Sequence, residues 1–223
     1  MRPNFPNPFL PFPQLKVCGL TRVEDAIVCA EVGVNAVGIN FWPGSRRYHP
    51  FAKAAQWLAA VPESLTRVGV FVNAPEGEVG EIMGSGLLEV AQFHGDESAE
   101  YVGQFLDAGV RCIRALSVRT VGDLEQVGAC PAQVILLDAY QPGVYGGSGQ
   151  VCDWALAAEA VRAFPEKQIL LSGGLNPANV ARAAQEVGPV GVDLASGVEI
   201  SPGLKDAALI RQLAFALRST MAP

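Results

Sequence analysis

Histidine and lysine are scarce in this 223-residue chain, which has two histidines (His49 and His94) and four lysines (Lys16, Lys53, Lys167 and Lys205). Two histidines are too few for a His-rich metal site. The five cysteines, at positions 18, 29, 112, 130 and 152, are odd in number and show no CxxC spacing. A disulfide framework or a zinc site is therefore not expected, and a reduced, cytoplasmic setting fits better. No run approaches the ~18 consecutive apolar residues of a membrane span. Charged residues make up only 17% of the chain, and the net charge is −6. That balance argues against nucleic acid or an anionic membrane as the main partner. It does not exclude a small anionic substrate, because local main-chain donors can outweigh net charge. No Walker-type GxxxxGK[ST] occurs, and GVYGGSG (143–149) does not match a dinucleotide fingerprint.

What is present is apolar: half the residues are hydrophobic, ample for one large core. The start, MRPNFPNPFLPFPQ (1–14), carries five prolines and no continuous apolar stretch of signal-peptide length. It reads as a poorly ordered extension, or as an upstream start codon, ahead of one domain over residues 15–223. From Leu15 a short apolar run, a turn and an amphipathic segment recur. The runs are 15–20, 34–41, 67–72, 87–93, 110–116, 133–138, 168–173 and 190–196. Apolar on both faces and β-branched, they fit buried parallel strands. Helical patterns lie between them at 22–33, 51–61, 97–109 and 176–188. Gly33 is the expected C-cap of the first, and Asn176–Pro177 are the expected N-cap and first residue of the last. The segment after Thr120 carries the weakest helical pattern. Eight such units predict a (β/α)₈ barrel, with an open doubly wound sheet as the competitor.

In a barrel of this kind the reactive residues sit at the carboxyl ends of the strands. Cys18 ends the first run, although small buried cysteines more often serve packing. Asp138 follows four apolar residues, where a carboxyl is costly unless paired, solvated or used. Gln92, His94 and Asp96 fall near the rim after the fourth run. GGSG (146–149), SGGLNP (172–177) and ASGVE (195–199) follow runs six, seven and eight. Their glycines either make tight turns or let main-chain N–H groups cradle a phosphate. Arg46 and Arg47, on the loop after the second run, suit a two-pronged carboxylate grip or a solvated surface pair. Lys16 shares the inward face of Cys18 and needs a buried partner. Asp193 on the eighth run, adjacent in a closed barrel, is the candidate.

Taken together, KVCGLTRVEDA, FWPGSRRY, VGVFVN, QFHGDE, LLDAYQPGVYGGSGQVCDW, LSGGLNPANV and VDLASGVEISPGLKD resemble, in order, the segments of the phosphoribosylanthranilate isomerase family. The resemblance spans roughly Lys16 to Leu213. It implies an Amadori rearrangement of N-(5-phosphoribosyl)anthranilate in tryptophan biosynthesis, with no cofactor and no metal. It implies Cys18 as general base, Asp138 as general acid and Arg47 at the substrate carboxylate. His94 and Asp193 would line the substrate, and Gly147, Gly173, Gly174, Ser196 and Gly197 would hold its phosphate. A monomer or a homodimer fits equally. The chemistry asks for an ionised Cys18, which Lys16 and positive helix ends are expected to favour, and for a protonated Asp138. Asn40, Ala195 and Cys152 depart from the family's usual residues. The competing readings are another phosphosugar barrel enzyme, an epimerase or aldolase, and a non-catalytic phosphate-ligand binder. A Schiff-base aldolase would need a lysine at a strand end, and Lys53, Lys167 and Lys205 fall in helix or loop contexts.

Overall fold

The structure, a computed structural model, describes residues 14–139 and 152–219. The turn GGSG with Gly147, and the proline-rich extension up to residue 13, lie outside the described residues. Eight parallel strands close in sequence order, each hydrogen-bonded to the next and β8 to β1. They are β1 (Gln14–Cys18), β2 (Ala36–Asn40), β3 (Thr66–Phe71), β4 (Val90–Phe93), β5 (Arg111–Ser117), β6 (Val134–Asp138), β7 (Gln168–Leu171) and β8 (Gly191–Leu194). Closure settles the choice against an open sheet. Gln14, expected in the extension, already belongs to β1. It donates its N–H to the carbonyl of Val190, 3.0 Å away, and so helps close the barrel.

The helices on the outside are α1 (Val23–Glu31), α2 (Phe51–Leu58), α3 (Glu76–Gly84), α4 (Ala99–Asp107), α5 (Glu125–Ala129), α6 (Trp154–Ala163), α7 (Val180–Val187) and α8 (Ala207–Ser219). None of the described helices is long and apolar enough to cross a membrane. Local chemistry sets several boundaries. The Ser98 hydroxyl accepts from the Tyr101 N–H (3.1 Å) and opens α4. Asp153 accepts from the N–H groups of Ala155 and Leu156 and opens α6. Gly33, with φ +78°, follows the end of α1 as expected. The segment after Thr120 forms a 3₁₀ turn (Val121–Leu124) running into the short α5.

The expected start of the last-named pattern needs correcting. The helix α7 begins at Val180 with Asn179 in the cap position, three residues later than Pro177 suggested. Asn176 caps a separate turn instead. Its side chain accepts from the Ala178 N–H (2.9 Å), while its own N–H donates to the Asn179 side chain (2.8 Å). Two asparagine side chains thus satisfy the turn before helical bonding starts.

The buried residues form two layers. Ala36, Val68, Val90, Ile113, Ala115, Leu136 and Leu170 make a small cluster, one or two from each of β2 to β7, filling the barrel interior. A larger cluster joins the outward strand residues, such as Val37, Ala91 and Leu137, to the helices. Alternation along each strand then sends Lys16, Cys18, Gln92, Asp138 and Asp193 inward. The interior is therefore apolar toward the strand starts and polar toward their carboxyl ends.

One buried ion pair shapes that end. Arg114 on β5 donates to the carbonyls of Phe93, Gly95 and Glu97 and to the Glu97 carboxylate (3.0 Å). Glu97 also accepts the N–H groups of Asn73 and Gly95, each at 2.8 Å. Arg114 and Glu97 thereby hold the loop after β4 against the barrel. Arg114→Met would take the donor from three carbonyls and leave the buried Glu97 carboxylate without its cation. It should lower stability by about 3–5 kcal/mol, as breaking one side of a buried pair does. Urea unfolding measures this, and a loss below ~1 kcal/mol would show that the loop is held by other means.

Candidate active site

The carboxyl-terminal mouth is built first from β1. Lys16 lies beside Asp193 in the β1–β8 register, with 2.9 Å between Nζ and a carboxylate oxygen and both side chains buried. The expected pairing is present. The alignment misses hydrogen-bond geometry, so the contact is ionic. Cys18 follows on the same face, and its register partner on β2 is Gly38. A Cβ at Gly38 would lie 2.6 Å from the Cys18 sulfur and 3.2 Å from Lys16 Nζ. Only a residue without a side chain leaves room there for the thiol.

The electrostatics of Cys18 differ from the expectation. Burial pushes its thiol above the ordinary value, and Asp193 adds to that shift, while Lys16 and Lys205 oppose it. Lys16 does favour the thiolate, but desolvation wins. The residue as a whole is half-buried. Burial is the largest cause that pushes Cys29, Cys112 and Cys152 up to about 12.

Asp138 ends β6 and is 4% exposed. One carboxyl oxygen accepts the Ala139 N–H (2.9 Å), and the other lies 3.1 Å from His94 Nε2. His94 Nδ1 in turn lies 3.1 Å from Gln92 Nε2. The two strand ends, β4 and β6, are thus joined by a side-chain chain inside the mouth.

The adjacent arginines separate: Arg46 faces solvent and Arg47 is buried. Arg47 lays its stem over Gly19, whose positive φ (+80°) and missing side chain make the space. Its Nε and Nη2 form a fork on Glu199, at 2.8–3.1 Å. The two-pronged grip that the sequence suggested is therefore made with Glu199. Among the described residues, Arg47 Nη1 has no hydrogen-bond partner.

Glu199 and Lys205 were not legible as site residues. A hairpin, β9 (Glu199–Ser201) and β10 (Leu204–Lys205), follows a 3₁₀ turn at Ser196–Val198 and carries both. Lys205 is fully buried. Its ammonium donates to the carbonyls of Cys18 and Ala195 and to Glu199, the last at 2.7 Å. Its main-chain N–H donates to Asp25, which also pairs with Arg22. Burial pulls the Lys205 ammonium below its ordinary value, against the pull of Glu199. Burial works against ionisation of Glu199 too, yet Arg47 and Lys205 hold its carboxyl below the usual range. A Glu and a Lys flanking a Pro-Gly turn directly after the last strand was the available signal.

The glycine turns after β7 and β8 touch. A Cβ on Gly197 would lie 1.9 Å from the Leu175 carbonyl oxygen, so the two loops are in main-chain contact. Gly173 and Gly174 have positive φ (+88° and +61°). Their N–H groups donate to no described residue. Gly173 also abuts Ala139 and Cys152, the described residues on either side of 140–151. Among the described residues no group of three or more His, Cys, Asp or Glu side chains could hold a metal ion.

The sequence profile of the N-(5′-phosphoribosyl)anthranilate isomerase family matches residues 15–215. The chain belongs to that family. An isomerase of this name from Azotobacter vinelandii is 46% identical over 199 residues, covering 88% of this chain and 93% of its own. The solved isomerase of Thermus thermophilus superposes with a TM-score of 0.80 at 36% identity, covering 92% of this chain and 98% of the other. A further family structure contains reduced 1-(o-carboxyphenylamino)-1-deoxyribulose 5-phosphate. It matches with the same coverage at 32% identity and a TM-score of 0.80.

The raised thiol of Cys18 has a measurable consequence. The thiolate is the reactive form, so iodoacetamide should label Cys18 at a rate that rises with pH and levels off above ~8.5, the ordinary thiol value. Peptide mass spectrometry across a pH series reads this out. A plateau reached below pH ~8 would mean that Lys16 and Lys205 dominate over burial.

Proposed function

We propose that this chain converts N-(5′-phosphoribosyl)anthranilate into 1-(2-carboxyphenylamino)-1-deoxyribulose 5-phosphate, an Amadori rearrangement of tryptophan biosynthesis. The observation that carries the reading is the pairing of a thiol and a carboxyl at strand ends on one barrel mouth, beside touching glycine turns. Asp138 gives its proton to the ribose ring oxygen. The bond from C1 to that oxygen breaks, and the nitrogen lone pair forms the C1=N bond. Cys18, as thiolate, takes the proton from C2. The C2–H electrons form C1=C2, and the C1=N electrons return to nitrogen. The resulting enol loses its hydroxyl proton and gains one at C1, giving the ketose. No hydride moves, and no external oxidant or reductant is consumed.

Binding falls to the rest of the mouth. The N–H groups of Gly173 and Gly174, which meet no acceptor among the described residues, suit a phosphate dianion, with the Ser196–Gly197 turn pressed against the same loop. Gly147 joins them in this reading by resemblance alone. Arg47 meets the anthranilate carboxylate through Nη1, since Glu199 holds its other face. A single charge-assisted bond of that kind contributes about 1.5–3 kcal/mol. His94 lines the site through Asp138. Asp193 acts through Lys16, keeping the ammonium under the thiol.

Cys18→Ala and Asp138→Asn should each lower kcat at least ~100-fold, the low end for acid–base catalysis. Following the loss of substrate fluorescence tests both, and near-normal turnover would remove the assigned role. Arg47→Ala should fold, because Lys205 and the Gly203 N–H still hold Glu199. Its effect should appear mainly in KM. An unchanged KM would place the substrate carboxylate elsewhere.

A further inference from the structure

Gln92 is fully buried inside the barrel, and its Oε1 has no partner among the described residues. A buried carboxamide with an unsatisfied oxygen is less stable there than a satisfied one. An apolar side chain would pack there without that cost. What the carboxamide does make is one bond, from its Nε2 to His94 Nδ1. A carboxamide nitrogen carries only hydrogens, so Nδ1 has to be the bare, accepting nitrogen of the ring. A neutral imidazole then carries its proton on Nε2, the atom that faces Asp138 Oδ2 at 3.1 Å. The opposite orientation of the amide would leave both of its N–H groups orphaned, and orphaned buried N–H groups are rarer than under-used carbonyls. The ring is also fixed in depth, because the His94 main-chain N–H donates to the Phe71 carbonyl at 2.8 Å.

This tautomer matters for an acid. Asp138 Oδ1 accepts the Ala139 N–H, and Oδ2 accepts the His94 Nε2–H. A neutral Asp138 keeps its proton on one of the remaining acceptor sites. With Nε2 already protonated, the imidazole cannot receive that proton, which therefore stays directed at the reaction space. In the other tautomer the bare Nε2 would accept it, and the acid would point at its neighbour.

We propose that Gln92 is a positioning residue for the acid: its carboxamide locks His94 in the Nε2–H tautomer, which keeps the imidazole from diverting the proton that Asp138 delivers. The proposal deepens the reading of Asp138 as the acid and rests on it.

The chain offers an internal control. His49 Nε2 accepts the indole N–H of Trp57 at 3.1 Å, so the only other histidine must be the Nδ1–H tautomer. Two-bond ¹H–¹⁵N spectra of the ¹⁵N-labelled protein at neutral pH should show His94 and His49 as opposite neutral tautomers. In Gln92→Met, His94 should lose its single tautomer while His49 is unmoved. The same variant should lose about tenfold in kcat, below the 10²–10⁴ of the acid itself, with KM within about twofold. In a His94→Asn background, where an amide N–H can still face Asp138, Gln92→Met should have no further effect. Gln92→Asn, one methylene shorter, serves the same purpose if the methionine variant does not fold. An Nδ1–H or doubly protonated His94 in the wild-type spectrum overturns the proposal. So does an equal loss of kcat with and without the histidine. The spectra involve no substrate. If Asp138→Asn kept its turnover, the acid assignment would fail while the tautomer result stood.

Discussion

The ammonium of Lys205 holds together parts of the chain that are far apart in sequence. It is buried against the carbonyl of Cys18 at the end of β1 and the carbonyl of Ala195 just past β8. A closed barrel has one seam at which its last strand meets its first, and Lys205 bonds across that seam at the mouth. Its third partner, Glu199, carries the guanidinium of Arg47 from the loop after β2. One hairpin after the last strand thus sets the position of Cys18 and of Arg47 on the same scaffold.

Such an arrangement is costly unless every charge is answered. Lys16 faces Asp193, Arg114 faces Glu97, and Glu199 sits between Arg47 and Lys205. Each pair takes two ions from water, and their attraction offsets the desolvation only when further hydrogen bonds complete the shell. Glu199 meets that condition with Arg47, Lys205 and the Gly203 N–H, and Arg114 with three carbonyls and the Glu97 carboxylate. Lys16 lies against a single carboxylate, that of Asp193. Burial makes the Cys18 thiol hold its proton more tightly than a free cysteine, with Asp193 adding to the shift and Lys16 and Lys205 opposing it. The ammonium groups of Lys16 and Lys205 lie close enough to favour a thiolate at Cys18, but burial outweighs them.

How much was legible from residues alone follows the range of the forces involved. The eight apolar runs were readable because burial on both faces of a parallel strand leaves a local imprint of β-branched and aliphatic residues. Cys18 and Asp138 stood out as reactive types ending apolar runs. The Lys16–Asp193 pair was readable once closure put β8 beside β1. The start of α7 was misjudged, because Asn176 and Asn179 bond each other and delay the helix, a competition between two local solutions with the same residues. Arg47 was legible as buried chemistry only by resemblance. Its loop looks the same whether the guanidinium faces solvent, a ligand or Glu199.

By itself the sequence determined the barrel class, the order of its units and the strand ends where chemistry belongs, since each depends on residues close along the chain. Only the tertiary structure decided that Lys205 bonds the Cys18 carbonyl, that Glu199 takes the Nε and Nη2 edge of Arg47, and that Gln92 reaches His94 and His94 reaches Asp138. It also decided that Gly38 clears the space for the sulfur. These depend on contacts between strands and loops up to 187 residues apart. Their energies are set by burial and by the number of partners around each charge, quantities that exist only once the barrel has closed.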